Sequence, residues 1–148
     1  MERTYKQSIL RILDANFNRY KEGLRVVEDI VRFIFENERL QKKIKKLRHG
    51  LDFILAEGEI KNSIFYRQAN HDCGKKLDFL EIKRKDYLDI LFTNFQRSKE
   101  SIRVIEEFSK IIFPKYTRML KRIRYDIYSC EKELHLYLKK LNKNGISK

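Results

Sequence analysis

Turn-forming residues and cysteines are scarce in this sequence. Its 148 residues include one proline, five glycines, two cysteines and no tryptophan. Because short strands need many turns that contain glycine or proline, this composition favours an all-α protein built from long helices. Cys73 and Cys130 lie far apart and form no paired motif, so we expect two free thiols rather than a disulfide.

Long apolar runs are also missing. The stretch from Ile30 to Phe35 is interrupted by Arg32, whereas a membrane-spanning helix needs roughly 18 apolar residues in succession. The first residues, from Met1 to Tyr5, lack the apolar stretch that a secretion signal requires. Both absences predict a cytoplasmic protein that makes no contact with a membrane.

Positive charge is what the chain has in excess. Its 34 Lys and Arg residues against 21 Asp and Glu residues give a net charge of +13. Such an excess suits nucleic-acid binding through phosphates, enzymes that handle small polyanions, and surfaces rich in ion pairs. The ion-paired surface is the preferred interpretation for most lysines, and a basic helical nucleic-acid-binding protein is kept as an alternative.

Apolar residues recur every three or four positions in four segments, which predicts four helices. The segments are 4–35, 38–56, 87–113 and 114–141. Thr4 and Gln7 fit a capping box at the first start, Gly58 fits a stop after the second segment, and Pro114 fits the first turn of the fourth. Residues 58–84 lack this period and are predicted to form a long functional loop.

The sequence contains an internal repeat. Residues 16–30 and 94–108 are identical at eight of fifteen positions, with a constant separation of 78, and residues 47–49 resemble 123–125 with a separation of 76. Two repeated helix hairpins predict a four-helix arrangement with pseudo-twofold symmetry and a long central connection. We therefore expect a single domain over 1–148, with repeat one at about 4–57, the loop at about 58–84 and repeat two at about 85–141.

Five polar residues recur at every third position of each repeat. They are Asn16, Arg19, Glu22, Arg25 and Glu28 in the first repeat, and Asn94, Arg97, Glu100, Arg103 and Glu106 in the second. Because three residues turn a helix by about 300°, such a row winds around the helix. The asparagines fall on the apolar side, where an unpartnered amide is costly, which favours a functional role. The middle Glu and Arg of each row are expected to face outward or toward the loop, with ion pairing as their structural explanation.

Arginines in both halves indicate a polyanion as ligand. The set is Arg19, Arg25 and Arg48 in one half and Arg97, Arg103 and Arg124 in the other. The planar guanidinium binds phosphate oxygens in pairs, and the paired glutamates offer a magnesium site or a proton acceptor for phosphoryl transfer. Neither a Gly-x-x-x-x-Gly-Lys loop nor a zinc-spaced partner for the run His71-Asp72-Cys73 is present.

Several stretches resemble a known family. Residues 11–19 (Arg-Ile-Leu-Asp-Ala-Asn-Phe-Asn-Arg) and 22–29 (Glu-Gly-Leu-Arg-Val-Val-Glu-Asp), with 94–97 and 103–107 in the second repeat, carry the resemblance. They resemble the alternative hydroxymethylpyrimidine-phosphate kinase family, helical proteins found alone or fused ahead of thiamine-phosphate synthase. The resemblance spans nearly the whole chain. It implies ATP-dependent phosphorylation of hydroxymethylpyrimidine phosphate to its diphosphate in thiamine biosynthesis, with ATP and magnesium as cofactors.

The resemblance also guides hypotheses about individual residues. Arg19, Arg48, Arg97 and Arg124 would hold phosphates, Asn16 and Asn94 would hydrogen-bond the pyrimidine or the ribose, and Glu28, Glu106 or Asp72 would act in catalysis and hold magnesium. In the loop, Arg67, Asp72 and Gly74 fit the family's arginine followed by an Asp-Val-Gly turn, with Cys73 in place of the valine. A homodimer, a thiamine-phosphate synthase partner and a non-catalytic module docked on that synthase stay open, as does the number of sites.

Overall fold

The computed structural model describes residues 4–76 and 83–145, and within these two stretches it contains helices but no β-strand. The predicted all-α class is therefore confirmed. The α-helices of the described residues are α1 (Tyr5–Phe33), α2 (Glu38–His49), α3 (Asp52–Leu55), α4 (Gly58–Asn62), α5 (Tyr87–Ile112) and α6 (Thr117–Lys143).

Helix α1 begins where the sequence predicts. The Thr4 hydroxyl accepts a hydrogen bond from the Gln7 N–H at 3.2 Å, and the Gln7 side chain accepts one from the Thr4 N–H at 3.1 Å. This reciprocal pair is a capping box, which satisfies two backbone donors that the first turn leaves free. After α1, Glu36 adopts a left-handed conformation (φ 50°) and Asn37 caps α2.

The prediction of one helix over 38–56 was wrong. Helix α2 ends at His49, the chain turns at Gly50, and the short α3 follows. Glycine has the lowest helix propensity after proline, and the turn leaves the side chains of Leu51 and Ile54 fully buried. Gly58 does not stop a helix but begins α4. The chain after Gly50 thereby folds back toward α1.

The segment after α3 has more local structure than the sequence predicts. Helix α4 leads into 3-10 turns at Ser63–Tyr66, Ala69–His71 and Cys73–Lys75. Helix α4 and the first of these turns pack against α1. Part of the predicted functional loop, residues 77–82, lies outside the described residues.

The two long helices of the repeats, α1 and α5, pack against each other most extensively, with α2 on α1 and α6 on α5. At their contact the Ser98 hydroxyl donates a hydrogen bond to the Tyr20 carbonyl at 3.2 Å, and these two positions differ by the repeat separation of 78. Gly23 lies beside them, where a Cβ would stand 2.7 Å from the Asn94 carbonyl oxygen. Glycine at this position therefore permits the close approach of α1 and α5.

Helix α6 begins after the predicted proline turn. Pro114–Tyr116 forms a 3-10 turn, and α6 then continues without a break to Lys143. Proline suits such a first turn because it has no N–H to satisfy. Nowhere in 4–76 or 83–145 is a helix both long enough and apolar enough to cross a membrane.

Candidate functional site

A cleft of about 670 Å³ lies between the N-terminal half of α1 and the segment 67–72. Helix α1 contributes Arg11, Ala15 and Arg19 to its lining, at intervals of four residues. Residues four apart lie on one side of a helix, so the two guanidinium-bearing side chains flank a small residue. We call this site the arginine cleft.

Arg11 and Arg19 carry charge that the described part of the chain leaves unpaired. Arg19 is exposed and Arg11 is half-buried, and no carboxylate within 4–76 or 83–145 forms an ion pair with either guanidinium. Other basic side chains of the described residues do form ion pairs, such as Lys21 with Asp52 at 2.7 Å. Two unpaired guanidinium groups on one side of a helix make the arginine cleft suitable for an anion.

The third arginine of the cleft is already paired. The Arg67 Nε and one of its terminal nitrogens donate to the two Asp14 carboxylate oxygens at 2.5 and 2.7 Å. This bidentate pair raises the pKa of Arg67, chiefly through the hydrogen bond to Asp14. It neutralises a carboxylate that lines the arginine cleft and ties the segment after α4 to α1.

The two asparagines that the sequence singles out form the same local bond. The Asn16 side-chain amide donates to the Ile12 carbonyl at 2.8 Å, and the Asn94 amide donates to the Ile90 carbonyl at 2.9 Å. Asn16 is 6% exposed and lines the arginine cleft. A backbone carbonyl of α1 therefore satisfies one N–H donor of the buried Asn16 amide. The side-chain oxygen of Asn16 is left as an acceptor beside the cleft.

The two glutamates predicted to act in catalysis form buried ion pairs. Glu28 accepts hydrogen bonds from Arg48 at 2.8 Å and from Gln41 at 2.9 Å, and Glu106 accepts one from the Arg124 Nε at 2.5 Å. Both carboxylates are almost fully buried. Arg48 and Arg124, which were predicted to bind phosphates, thus form ion pairs with these glutamates. The two repeats form the same buried ion pair with equivalent residues.

The structure does not bring Glu28 to the arginine cleft. Asn16 and Glu28 are twelve positions apart on α1, which corresponds to about 18 Å along the axis at a rise of 1.5 Å per residue. The rise of the helix thus separates Glu28 from Asn16 and Arg19, and the expectation that the three residues share one site was wrong. Asn16 and Arg19 line the cleft, whereas Glu28 does not.

The Glu28 pair should make stability depend on pH in the acid range. Burial alone raises the pKa of a carboxyl, but in Glu28 the hydrogen bonds from Arg48 and Gln41 outweigh burial and hold its pKa below the usual value. Such a group stabilises the fold above its unfolded-state pKa, about 4.3 for Glu, and the stabilisation is lost as pH falls through the lowered folded-state pKa.

We expect the stability of the unmodified chain to fall more steeply below about pH 4 than that of Glu28→Gln. Urea unfolding between pH 3 and 7 measures the difference. Glu36→Gln is the control, because Glu36 is exposed and forms no ion pair within the described ranges. Parallel pH profiles for the unmodified chain and Glu28→Gln would contradict this account.

The middle residues of the polar rows face outward, as expected. Arg25 pairs with Asp29 at 3.4 Å, whereas Arg103 pairs with Glu106 of its own row at 3.4 Å and with Glu107 at 3.1 Å. The expected Glu22–Arg25 pair is not formed. Arg97 is exposed and has no ion-pair partner among the described residues, and its predicted role in phosphate binding stays a prediction.

The loop residues form a local turn at the edge of the cleft. One Asp72 carboxylate oxygen accepts the Gly74 N–H at 2.8 Å, and Asp72 also lines the cleft. Within 4–76 and 83–145, no three His, Cys, Asp or Glu side chains lie close enough together to hold a metal ion. The use of ATP with magnesium stays a prediction.

Several residues of the cleft, among them Arg11, Asp14 and Asn18, were not predicted as site residues from the sequence. The signal for Arg11 was present, because Arg11, Ala15 and Arg19 follow the four-residue spacing of one helix face. The pairing of Asp14 with Arg67 bridges 53 positions and has no signature in the sequence.

Comparison with known proteins supports one family. The ThiD2 family profile matches residues 11–133. The chain is 36% identical over 135 residues to a protein named thiamine-phosphate synthase from Synechocystis sp., covering 90% of this chain and 38% of that protein. It is 40% identical to the protein named thiamine-phosphate synthase from Prochlorococcus marinus subsp. pastoris, over 85% of this chain and 35% of that protein.

A more distant relative gives the same result. The thiamine-phosphate synthase of Rhodopirellula baltica is 31% identical over 143 residues, which are 96% of this chain and 38% of that protein. The chain thus spans less than two fifths of the length of these curated relatives. No solved structure gives a significant match.

These names correct the predicted reaction. The sequence predicts a hydroxymethylpyrimidine-phosphate kinase, whereas the curated relatives are named for a different reaction, the synthesis of thiamine phosphate. The kinase assignment is therefore contradicted, while the broader prediction of a part in thiamine biosynthesis is supported. The relatives carry enzyme names, which agrees with the prediction that this chain has an enzymatic role.

Proposed function

This chain belongs to the ThiD2 family, and we propose that it serves the formation of thiamine phosphate by binding a phosphate-bearing small molecule in the arginine cleft. The observation that carries the proposal is that Arg11 and Arg19, two guanidinium groups without an ion-pair partner among the described residues, both line this cleft. Guanidinium groups form charge-assisted, often paired hydrogen bonds with phosphate oxygens.

This chain corresponds to only part of each relative, so we consider which part of the function of the relatives it performs. Between 35% and 38% of each cited synthase has a counterpart in this chain. We therefore propose that the helical unit binds a substrate or product and that it acts together with a thiamine-phosphate synthase. This partner is the one that the resemblance implied, and the relatives' names are its support.

The cleft offers more than charge to its ligand. Asn16 and Asn18 stand beside the two arginines on α1, and an amide side chain both donates and accepts hydrogen bonds. A ring that carries nitrogen atoms and an amino group matches such a neighbour. A phosphate-bearing pyrimidine, hydroxymethylpyrimidine phosphate or its diphosphate, is therefore our proposed ligand.

Replacing Arg19 by Ala should lower the production of thiamine phosphate at least tenfold. The expected size follows from the loss of one charge-assisted hydrogen bond, about 1.5–3 kcal/mol. The measurement uses a strain whose sole copy of this chain is deleted, which should need added thiamine to grow. A plasmid that encodes the unmodified chain should allow growth without added thiamine. A plasmid that encodes Arg19→Ala should allow slower growth or no growth without it.

The control variant is Arg97→Ala, which removes an exposed arginine at the equivalent position of the second repeat. It should support growth as the unmodified chain does. Circular dichroism of both purified variants verifies that helix content is unchanged. Growth of the deletion strain without thiamine would sink the proposed function, because the chain would then not be needed for thiamine phosphate.

A further inference from the structure

The two repeats differ where the arginine cleft lies. The positions of the second repeat that correspond to Arg11, Ala15 and Arg19 are occupied by Asp89, Thr93 and Arg97. One of the two flanking cations is thus replaced by a carboxylate. An anion placed between Asp89 and Arg97 would meet one attractive and one repulsive charge.

Asp89 has a structural task in the second repeat. Helix α5 starts at Tyr87, so Asp89 stands in its first turn, where its N–H donates to the Asp86 side chain at 2.9 Å. One Asp89 carboxylate oxygen accepts the Lys85 N–H at 3.2 Å. Carboxylates are favoured in the first turn of a helix because the backbone N–H groups there are unpaired. Arg11, in contrast, lies well inside α1.

The wall of the cleft has no counterpart in the described part of the second repeat. In the first repeat α2 ends at His49 and the chain folds back beside α1, whereas α6 runs from Thr117 to Lys143 without a break. Phe92 takes the position of Asp14, and the His135 ring stacks on it at 4.9 Å with an interplanar angle of 12°. A side chain of α6 thereby covers this part of α5.

We propose that Arg11 and Arg19, over Ala15, form the single phosphoryl-binding site of the residues that the structure describes, and that the duplicated surface on α5 binds no phosphoryl group. The inference rests on the proposed function and makes it more specific. Arg11 and Arg19 are eight positions apart, about 12 Å along the helix axis. In this proposal both long side chains reach one phosphate ester or one diphosphate from this separation.

Arg67 keeps this site usable without holding the ligand. Both Asp14 carboxylate oxygens are occupied by Arg67, and without that partner the carboxylate would add a negative charge to the lining of the cleft. A bound phosphoryl group would then be repelled. Arg67 is thus a positioning and neutralising residue, and Arg11 and Arg19 are the binding residues.

The stoichiometry and the location are tested by calorimetric titration of the full chain with inorganic pyrophosphate at constant ionic strength. We expect one pyrophosphate per chain. Arg11→Ala and Arg19→Ala should each weaken binding about tenfold or more, as expected for loss of a charge-assisted hydrogen bond, and Arg97→Ala should change it less than twofold. Circular dichroism verifies that each variant is folded.

The role of Arg67 is tested by rescue. Arg67→Ala should weaken pyrophosphate binding severalfold, and adding Asp14→Asn to it should restore binding, because the unpaired carboxylate is then removed. If Arg67 held the ligand directly, Asp14→Asn would not rescue the loss. Two equivalent pyrophosphates per chain would overturn the single site. Equal effects of Arg19→Ala and Arg97→Ala would overturn its location on α1. Failure of Asp14→Asn to rescue binding would overturn the role of Arg67.

The outcomes separate this inference from the proposed function. Pyrophosphate titration uses the purified chain and no synthase, whereas the thiamine requirement of the deletion strain tests the biological role. Suppose that one pyrophosphate binds and that its binding depends on Arg19, but that the deletion strain grows without thiamine. This result would uphold the site and overturn the proposed function. A thiamine requirement with two equivalent bound pyrophosphates would uphold the function and overturn the single site.

Discussion

Arg48→Met should lower the free energy of unfolding by about 3–5 kcal/mol, the cost that removal of one partner from a buried ion pair usually carries. The Glu28 side chain is 3% exposed and that of Arg48 is 14% exposed. After the substitution, Gln41 would be the remaining side-chain donor to a buried carboxylate. Urea unfolding at pH 7, followed by circular dichroism, measures the change.

Two further variants compare the Arg48–Glu28 pair with a second buried ion pair and with an exposed one. Arg124→Met should be destabilising to a similar degree, because Arg124 and Glu106 are as buried as Arg48 and Glu28. Arg25→Met should cost less than about 1 kcal/mol, since exposed ion pairs contribute little. An Arg48→Met chain as stable as Arg25→Met would show that the buried pair does not hold the hairpin together.

A double variant separates charge from packing. Glu28→Leu combined with Arg48→Met replaces both charges by apolar groups, and such replacements in other proteins are often close to neutral. We expect the double variant to regain most of the stability that Arg48→Met alone loses. No recovery would indicate that shape and the bond from Gln41 dominate at this position.

Gly23→Ala should destabilise the chain by about 1–3 kcal/mol, the usual cost of overpacking a core. In an exposed helix the same change would stabilise by about 0.8–1.0 kcal/mol. At Gly23 the new Cβ would stand 2.4 Å from the Ser98 hydroxyl oxygen and 2.7 Å from the Asn94 carbonyl oxygen. The hydroxyl can rotate away, but the carbonyl belongs to the backbone of α5, so the helices must separate.

The matched control for Gly23→Ala is Gly58→Ala. A Cβ at Gly58 meets nothing within 4 Å, so this substitution should be neutral or slightly stabilising. Ser98→Gly combined with Gly23→Ala should restore only part of the loss, because the Asn94 carbonyl remains. Thermal unfolding of the three variants measures this order, and equal midpoints for Gly23→Ala and Gly58→Ala would contradict it.

The sequence predicts the long helices well because their local signals are strong. The capping box of Thr4 and Gln7 and the proline turn at Pro114 both occur where their residue types indicate. The break at Gly50 was not predicted, since an apolar period continues through Leu51 and Ile54 and a single interior glycine weakly disfavours a helix. The fold-back after Gly50 is decided by packing on α1.

The candidate site was predictable only in part. Arg19 and Asn16 were identified from the repeat, and both line the arginine cleft. Glu28 was expected in a site with them, yet it is buried with Arg48. Which of several nearby arginines a carboxylate selects depends on the tertiary arrangement of helices, which a single sequence does not contain.

The hydrogen bond between Ser98 and the Tyr20 carbonyl has a consequence for how the chain folds. It joins positions 78 residues apart, and closing a flexible loop of that length costs about 4 kcal/mol of chain entropy before any constant contribution. The contacts within each hairpin are far more local, and local contacts form early because they require little loop closure. The hairpins are thus expected to gain structure first, and the α1–α5 interface to assemble after them.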